Sequence, residues 1–436
     1  MVPDRPSRPK LVDRRVAVRL ASTLVTRSLA KTAFVGIWLL VTAFVSSCGD
    51  DSDNPPAAAA TAAPSATPTV VPLTSAQVLQ PGSYGVGVTT MTFIDTSRPT
   101  MPNGTFSGAP RRTLVTEIWY PTDSQPSRTA TPTRNAPLTH LGAPFPLVIY
   151  SHPLMGNRSS GIYLAQHLTS YGYVVAAPDF PLSNSGAPGS PTFVDLANQV
   201  GDVHFVIDQL LALGADTQSA LAGSIDRMRI GLTGFSMGGS TTFLAALHPT
   251  LRDPRVRAAA AMGAVTCFLG PDFYGHTSVP LLIVHGDIDA FAPYQPNALF
   301  AFGEANPPKY LVTIAGGTHI GFTDGIDVIF QNVNNPDDIG CRSLGGDTLD
   351  VDSPAVIDSL GGAAAGIVSG MCPGSCTNRI LPRSIRPARQ QQLTILSIFP
   401  FFEAYLRDDA RARRFLDETL AAENPDVTTQ LQVAGG

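Results

Sequence analysis

The stretch Gly234-Phe235-Ser236-Met237-Gly238-Gly239 follows a short apolar run, residues 227–232 (RMRIGL), and precedes residues 240–248 (STTFLAALH). The first run predicts a buried strand and the second predicts a helix. A G-x-S-x-G sequence between a strand and a helix is typical of a sharp turn that holds the serine above the sheet. Small residues flank such a serine because strand and helix nearly collide there. The stretch therefore predicts a strand–turn–helix unit with Ser236 at its apex.

A histidine and two aspartates follow two further apolar runs. A serine hydroxyl is a poor nucleophile until a histidine takes its proton, and a carboxylate must orient that histidine. Residues 279–285 (VPLLIVH) lead to Asp287 and Asp289, and residues 309–314 (KYLVTI) lead to His319. Ligand-binding residues of parallel sheets lie beyond the carboxyl ends of the strands. These side chains are therefore predicted to meet the serine at one edge of the sheet.

In this order the motifs resemble those of the α/β-hydrolases. The chain is most similar to the group that includes dienelactone hydrolases, platelet-activating-factor acetylhydrolase-like esterases and cutinase-like polyester hydrolases. The similarity spans residues 83–319 and 391–407. It implies an α/β-hydrolase fold in which Ser236, Asp289 and His319 are catalytic, with Asp287 as the alternative acid. Dienelactone hydrolases proper carry cysteine where this chain has the serine.

Two backbone amides are expected to bind an oxyanion beside the serine. Met237 supplies the first amide. For the second, the resemblance implies Leu154, in the loop after the apolar run at residues 145–150 (FPLVIY). Pro153 has no N–H, which leaves Met155 as the alternative donor. The expected reaction is hydrolysis of a carboxylic ester through an acyl-enzyme, with no cofactor.

The expected substrates are short-acyl esters, including acetylated phospholipids. A cutinase-like polyester hydrolase or a lipase is the alternative, although cutinase-like enzymes have an aromatic residue where this chain has Leu154. Amide hydrolysis would use the same three residues but has a poorer leaving group. A catalytically silent binding lipoprotein on the same scaffold is a further alternative. The complete Ser, Asp and His set argues against it, because binding alone does not need all three.

The first 47 residues predict a lipoprotein signal peptide. A basic region ends at Lys31, and residues 32–45 (TAFVGIWLLVTAFV) are apolar but short for a transmembrane helix. Val45-Ser46-Ser47-Cys48 resembles a lipobox, which implies lipid attachment at Cys48. Residues 48–77 predict a disordered spacer rich in Pro, Ala and Thr. The expected location is a membrane, with the protein facing the periplasm or the cell exterior; a signal anchor is the alternative.

Charge and cysteine content limit the partners and the compartment. Residues 1–47 contain 8 of the 29 basic and 2 of the 34 acidic residues, so the rest of the chain has 21 basic and 32 acidic residues and a formal charge of −11. Nucleic acid is therefore not an expected partner. Apart from Cys48, four cysteines predict up to two disulfides, with three possible pairings: Cys267, Cys341, Cys372 and Cys376.

No metal site is predicted, because the histidines lack metal-ligand spacing. Five aspartates are predicted to form a solvated surface and not a calcium loop: Asp337, Asp338, Asp347, Asp350 and Asp352.

Residues 78–436 are predicted to form one catalytic domain, an α/β fold with a mostly parallel, doubly wound sheet and helices on both faces. Strands are predicted at residues 84–94, 112–120, 145–150, 174–177, 229–233, 257–262, 279–285 and 310–314. Helices are predicted at residues 161–170, 194–213, 240–247 and 296–302.

A long insertion, residues 321–389, is predicted before a C-terminal helix at residues 391–407, which Pro400 should kink or split. The insertion holds three of the four remaining cysteines and lacks clear periodicity. Long irregular segments are often functional. Our hypothesis is a disulfide-braced flap that shapes the substrate pocket, and the alternative is a surface excursion remote from it.

Overall fold

The structure is a computed structural model that describes residues 70–125, 131–330, 332–343, 351–377 and 380–433. All of these residues belong to one compact unit, Thr67–Gly436. The predicted signal peptide, Cys48 and most of the predicted spacer lie outside the described residues.

One sheet contains all ten strands of the described residues. They are β1 (Gly85–Asp95), β2 (Arg112–Thr122), β3 (Thr133–Arg134), β4 (Phe145–Ser151), β5 (Val174–Pro178), β6 (Ile225–Phe235), β7 (Val256–Met262), β8 (Leu281–Gly286), β9 (Lys309–Ile314) and β10 (Val427–Gln432). Their order across the sheet is β10-β9-β8-β7-β6-β4-β5-β2-β1-β3. The run from β9 to β5 is parallel, whereas β2 pairs antiparallel with both β1 and β5, and β10 pairs antiparallel with β9.

Helices connect the strands and cover both faces. The α-helices are α1 (Ser75–Val78), α2 (Ile162–Ser170), α3 (Leu196–Ala215), α4 (Met237–Leu247), α5 (Pro271–Tyr274), α6 (Phe300–Glu304), α7 (Ile326–Phe330), α8 (Pro336–Ser343), α9 (Pro354–Ser359), α10 (Pro387–Leu406), α11 (Ala410–Arg414) and α12 (Leu420–Glu423). Single-turn 3₁₀ or π segments occur at Phe193–Asp195, Gln295–Leu299, Ile320–Phe322, Gly362–Ala365 and Phe415–Thr419.

Side chains of the central strands alternate between two cores. In β4, Leu147 and Ile149 pack with α3 and α4, whereas Val148 and Tyr150 pack with α2 and α10. This alternation follows from the pleat, since neighbouring residues of a strand face opposite sides of the sheet. Both faces are covered, so the parallel strands are apolar throughout, as expected for a doubly wound sheet.

Each of the eight predicted strands has a counterpart in the sheet, but several boundaries differ. The last long helix begins at Pro387 and not at residue 391, so the end of the predicted insertion belongs to that helix. Pro400 lies inside α10, which continues to Leu406; the predicted split is therefore wrong. The predicted domain start at residue 78 falls at the end of a helix, α1, which is part of the folded unit.

Two disulfides are present, Cys267–Cys372 and Cys341–Cys376, which confirms the predicted disulfide framework. Disulfides persist in oxidising compartments, so they indicate an exported protein. The first disulfide ties the insertion to the loop after β7, where Leu269 also forms a β-bridge with Ile367. In the part of the chain that the structure describes, no helix has both the length and the apolarity to cross a bilayer.

Candidate active site

Ser236 occupies a strained turn between β6 and α4. Its φ is 56° and its ψ is −121°, a conformation that a residue with a Cβ rarely adopts. A Cβ at Gly234 would lie 2.2 Å from the carbonyl oxygen of Gly238, and one at Gly238 would lie 2.0 Å from that of Ser151. Glycine is required at both positions because the backbones touch. The turn is further fixed by the Ser236 amide, which donates to the Met262 carbonyl at 3.0 Å.

The structure brings Ser236, His319 and Asp289 together, as predicted. They follow β6, β9 and β8 respectively, at the carboxyl ends of strands in the parallel part of the sheet, where β7 lies between β6 and β8. His319 Nε2 lies 2.8 Å from Ser236 Oγ, and His319 Nδ1 lies 2.8 Å from Asp289 Oδ2. All three residues are almost buried, with exposures of 5–6%. The arrangement can move a proton from the serine to a histidine whose tautomer a carboxylate fixes.

Asp287, the alternative acid, bonds a backbone amide and not His319. Its Oδ1 accepts the Gly316 amide at 2.7 Å and so links the loops after β8 and β9. Asp289 Oδ1 accepts the amides of Phe291 and Ala292 at 2.9 and 2.7 Å, which leaves Oδ2 for the histidine. The backbone therefore orients the Asp289 carboxylate before it meets His319.

A second histidine, His285, approaches the same carboxylate. Its Nε2 lies 2.7 Å from the Ala292 carbonyl oxygen and 3.6 Å from Asp289 Oδ2. Burial lowers the pKa of His285, more than the charge of Asp289 raises it. The ring is therefore neutral and donates its Nε2 proton to the carbonyl oxygen, which helps to fix the loop that carries Asp289.

The electrostatics of His319 favour its protonated form. Burial alone would lower the pKa of His319, but the charge of Asp289 and its hydrogen bond outweigh burial and raise that pKa. The Phe291 ring stacks on the imidazole, with centroids 5.0 Å apart and planes 22° apart. The ring thus has fixed contacts at Nδ1, at Nε2 and on one face.

The loop that carries His319 is held from two sides. Gln390, fully buried on α10, accepts the Thr318 amide at 3.0 Å and donates to the Thr318 carbonyl at 2.7 Å. On the other side, Asp337 of α8 accepts the amide of His319 at 2.9 Å. Asp337 is completely buried, so its predicted place on a solvated surface is wrong. Asp338 next to it is part-exposed and pairs with Arg342.

The backbone amides of the two predicted oxyanion donors, Met237 and Leu154, have no backbone acceptor among the described residues. Met237 is the first residue of α4, so its N–H has no partner within the helix. The two alternatives for the second donor differ in their hydrogen bonds: the Met155 amide donates to the Ser183 carbonyl at 2.9 Å. The Leu154 amide has no such acceptor among the described residues.

His152 fixes the loop that carries Leu154. Its Nδ1 lies 2.8 Å from the Pro153 carbonyl oxygen, and its Nε2 accepts the Phe180 amide at 3.1 Å. Burial lowers the pKa of His152 to about 4, so the ring is neutral at pH 7 and can accept that amide. This histidine holds the backbone and does not contact the serine.

Gln199 of α3 links α4 to Ser183, the residue whose carbonyl accepts the Met155 amide. It donates to Ser183 Oγ at 2.6 Å and accepts the Thr241 hydroxyl of α4. Both Gln199 and Gln390 are buried amides on otherwise apolar helix faces, which is the signal that could have identified them from sequence. His285 and Asp337 carry no such signal.

The chain is similar to a protein family and to a curated protein. A family model described as PET hydrolase-like matches residues 139–333, which contain all three residues of the Ser–His–Asp arrangement. Platelet-activating factor acetylhydrolase of Cavia porcellus is 23% identical over 227 residues, which cover 44% of this chain and 50% of that protein. The chain thus spans about half the length of this curated relative.

A solved structure shares the architecture. The ferulic acid esterase from Streptomyces cinnamoneus superposes with a TM-score of 0.55 and 22% sequence identity, covering 81% of this chain and 98% of that one. The match is to the fold. With the family model, it confirms the predicted fold class and the predicted resemblance.

Proposed function

We propose that this chain, which has the α/β-hydrolase fold and matches a PET hydrolase-like family model over residues 139–333, hydrolyses carboxylic esters with Ser236 as nucleophile. The observation that carries the proposal is the pair of 2.8 Å contacts joining Ser236 to His319 and His319 to Asp289. A nucleophile, a base and an orienting acid in this geometry fit acyl transfer.

The reaction has two halves. Ser236 Oγ attacks the ester carbonyl carbon while its proton passes to His319 Nε2, and Asp289 stabilises the imidazolium that forms. His319 then protonates the leaving alcohol oxygen as the C–O bond breaks, and the acyl group stays on Ser236. Water attacks this acyl-enzyme and gives a proton to His319, which then returns it to Ser236 Oγ as the bond between Oγ and the acyl carbon breaks and the carboxylic acid leaves. The steps need no cofactor.

The tetrahedral oxyanion would bind the amides of Leu154 and Met237. The free amide of Met237 lies at the N-terminus of α4, where the helix dipole favours negative charge. Donors fixed before the reaction cost no reorganisation when charge develops. The bond from the Met155 amide to Ser183 supports this choice, because it orients the loop and removes Met155 as a donor.

We propose short-acyl esters as substrates. The similarity to a platelet-activating factor acetylhydrolase supports this class. A polyester is the second candidate, and it is favoured by the PET hydrolase-like family match across the whole Ser–His–Asp region.

The test is labelling of the purified domain with a fluorophosphonate probe, followed by turnover of p-nitrophenyl esters of increasing acyl length. Ser236→Ala should abolish labelling and turnover while leaving the thermal melt unchanged, because Ser236 is the proposed site of attack. Ser240→Ala is the matched control, since Ser240 Oγ bonds the Val265 carbonyl and lies outside the relay. Labelling retained in Ser236→Ala would contradict the assignment. An absence of labelling in the folded wild type would favour a silent binding scaffold.

The acyl-length series separates the substrate candidates. A maximum at acetyl or butyryl esters supports a short-acyl esterase. Activity on long acyl chains would indicate a lipase. Faster release from bis(2-hydroxyethyl) terephthalate and polyester film than from acetyl esters would favour the polyester candidate.

The protein is also proposed to be anchored by lipid at Cys48. The lipobox-like sequence supports this, and the disulfides fit an exported protein. Cys48→Ser should abolish incorporation of labelled palmitate and move the esterase from the membrane fraction to the soluble fraction. Ser46→Ala is the matched control and should remain bound. Membrane retention of Cys48→Ser would favour the signal anchor instead.

A further inference from the structure

Asp337 connects the two loops that carry the proposed acid and base. Its Oδ2 accepts the amides of Ala290 at 3.0 Å and of His319 at 2.9 Å, and its Oδ1 accepts the amide of Ile320 at 2.8 Å. Ala290 directly follows Asp289. One carboxylate thus binds the backbone next to the acid and the backbone of the base itself.

The carboxylate is held by its own surroundings. The Asp337 amide donates to Asn335 Oδ1 at 2.9 Å, and Asn335 Nδ2 donates to the Pro382 carbonyl at 2.9 Å. The Cys341–Cys376 disulfide joins α8 to a segment whose Cys376 amide donates to the Ala290 carbonyl at 2.7 Å. Both backbone groups of Ala290 are therefore hydrogen-bonded, the N–H to Asp337 and the C=O to the Cys376 amide.

Nothing else in the surroundings explains a buried carboxylate at this position. Asp337 has no exposed surface and no ion-pair partner among the described residues. The charged groups that face it are Asp289 and His319, with His285 behind Asp289. Burial, together with the charge of Asp289, raises the pKa of Asp337 to about 6. Burying a carboxylate without an ion-pair partner opposes stability even when amides donate to it, so a gain in stability does not account for Asp337.

We propose that Asp337 is a positioning residue for the proposed ester hydrolysis: its carboxylate fixes the acid loop and the histidine loop relative to one another, and its charge supports the imidazolium of His319. The inference rests on the proposed function. It also gives the insertion a defined role, because Asp337 comes from the insertion and not from the sheet that carries the three reacting residues.

The test compares Asp337→Asn with wild type. Asparagine keeps the shape but offers one acceptor oxygen, so at least one of the three amides loses its partner and the charge is removed. The kcat per active site, counted by fluorophosphonate titration, should fall about 10- to 100-fold, since small misplacements of reacting groups have effects of this order. KM should change less than about twofold, because Asp337 is fully buried and so cannot contact the substrate. Asp338→Asn is the matched control and should behave as wild type.

The pH profile gives a readout that a general loss of stability would not move. The acid limb of kcat/KM reports the pKa of His319 in the free enzyme. Removing a negative charge that faces His319 makes its imidazolium less stable, so the acid limb of Asp337→Asn should move to lower pH. A per-site kcat and an acid limb equal to those of wild type would overturn the proposal, as would the same changes in Asp338→Asn.

A second readout needs no substrate. Proton NMR detects the strongly downfield Nδ1 proton that His319 shares with Asp289, and this signal should shift or broaden in Asp337→Asn. If wild type fails to turn over esters, the proposed function fails, and this signal alone decides the role of Asp337. If Asp337→Asn does not fold, Asn335→Ala is the second variant, because it removes the acceptor of the Asp337 amide and leaves the Asp337 carboxylate in place. Asn335→Ala should also lower kcat. A kcat and an Nδ1 proton signal equal to those of wild type in Asn335→Ala would refute the inference.

Discussion

Asp287 and Asp289 lie two positions apart after β8 and have different partners. Asp287 accepts the Gly316 amide, whereas Asp289 accepts two amides of its own loop and the ring of His319. The carboxylate that contacts the histidine must fix its tautomer. The carboxylate that contacts only an amide can at most support the loop.

We predict that Asp289→Asn lowers kcat/KM on a short-chain p-nitrophenyl ester on the order of 10⁴-fold, because an amide N–H at that place favours the wrong tautomer of His319. Asp287→Asn is the matched control. It keeps an acceptor oxygen for the Gly316 amide and should lose less than about tenfold. Steady-state kinetics with a thermal melt for each variant gives the measurement. Equal losses in the two variants would contradict the assignment of roles.

Ser236 and His319 could be predicted from sequence because each has a local signal, whereas the preference for Asp289 over Asp287 rests on the resemblance alone. Ser236 is surrounded by glycines, and His319 follows two glycines and a threonine at the end of an apolar run. The preference for Leu154 over Met155 likewise rests on the resemblance, because the bond of the Met155 amide to Ser183, which is distant in sequence, has no local signal. Asp337 was misjudged for the same reason. Its three donors are amides from other loops, and no side-chain pattern reports them.

Among the elements, the buried parallel strands were the easiest to predict. A strand covered on both faces is a short continuous apolar run bounded by turns. The two strands that the sequence did not indicate lie at opposite edges of the sheet. β3 has only two residues, and β10 (VTTQLQ) is polar and largely exposed, so neither has the composition of a buried strand.

α10 shows how tertiary packing overrides a local signal. Proline removes a backbone donor and is strongly disfavoured inside a helix, by about 3 kcal/mol or more. Around Pro400 the helix buries Phe399, Phe401 and Phe402 against the sheet. Full burial of one such side chain contributes about 1.5–3 kcal/mol. The combined burial exceeds the cost of the proline, and the helix continues.

At the scale of the whole molecule, α10 extends from the loop that carries His319 to α11, which bonds the first described residues of the N-terminal segment. The helix has 20 residues, which is about 30 Å. Gln390, near its start, contacts Thr318 beside the proposed base. Beyond its end, Arg411 and Arg414 donate to the carbonyls of Val71 and Val70. The N-terminal segment therefore contacts the unit at two places: Val70 and Val71 bond α11, and Ser75 bonds Asn424, which also accepts Arg389 near the start of α10.

This segment is part of the fold and not only a tether. Thr74 and Gln77 form a capping box at the start of α1, the Ser75 amide donates to Glu423 at 2.7 Å, and Val78 is 1% exposed. The composition of residues 48–77 predicted a spacer throughout, because proline, alanine and threonine dominate most of it. A four-residue helix is too short for periodicity to reveal it against that background.

A chain that begins at Val78, the predicted domain boundary, should therefore be less stable than one that begins at Val70. It lacks the capping box, the bond to Glu423 and the helix that keeps Val78 buried, so its free energy of unfolding should fall by about 1–3 kcal/mol. Urea unfolding of the two truncated chains measures the difference. Their kcat/KM at 25 °C should agree, because the lost contacts are made to Glu423, Asn424, Arg411 and Arg414 and not to Ser236, Asp289 or His319. Equal unfolding midpoints would mean that residues 70–77 act only as a spacer. A selective loss of kcat would mean that α1 is coupled to the site through Asn424 and Arg389.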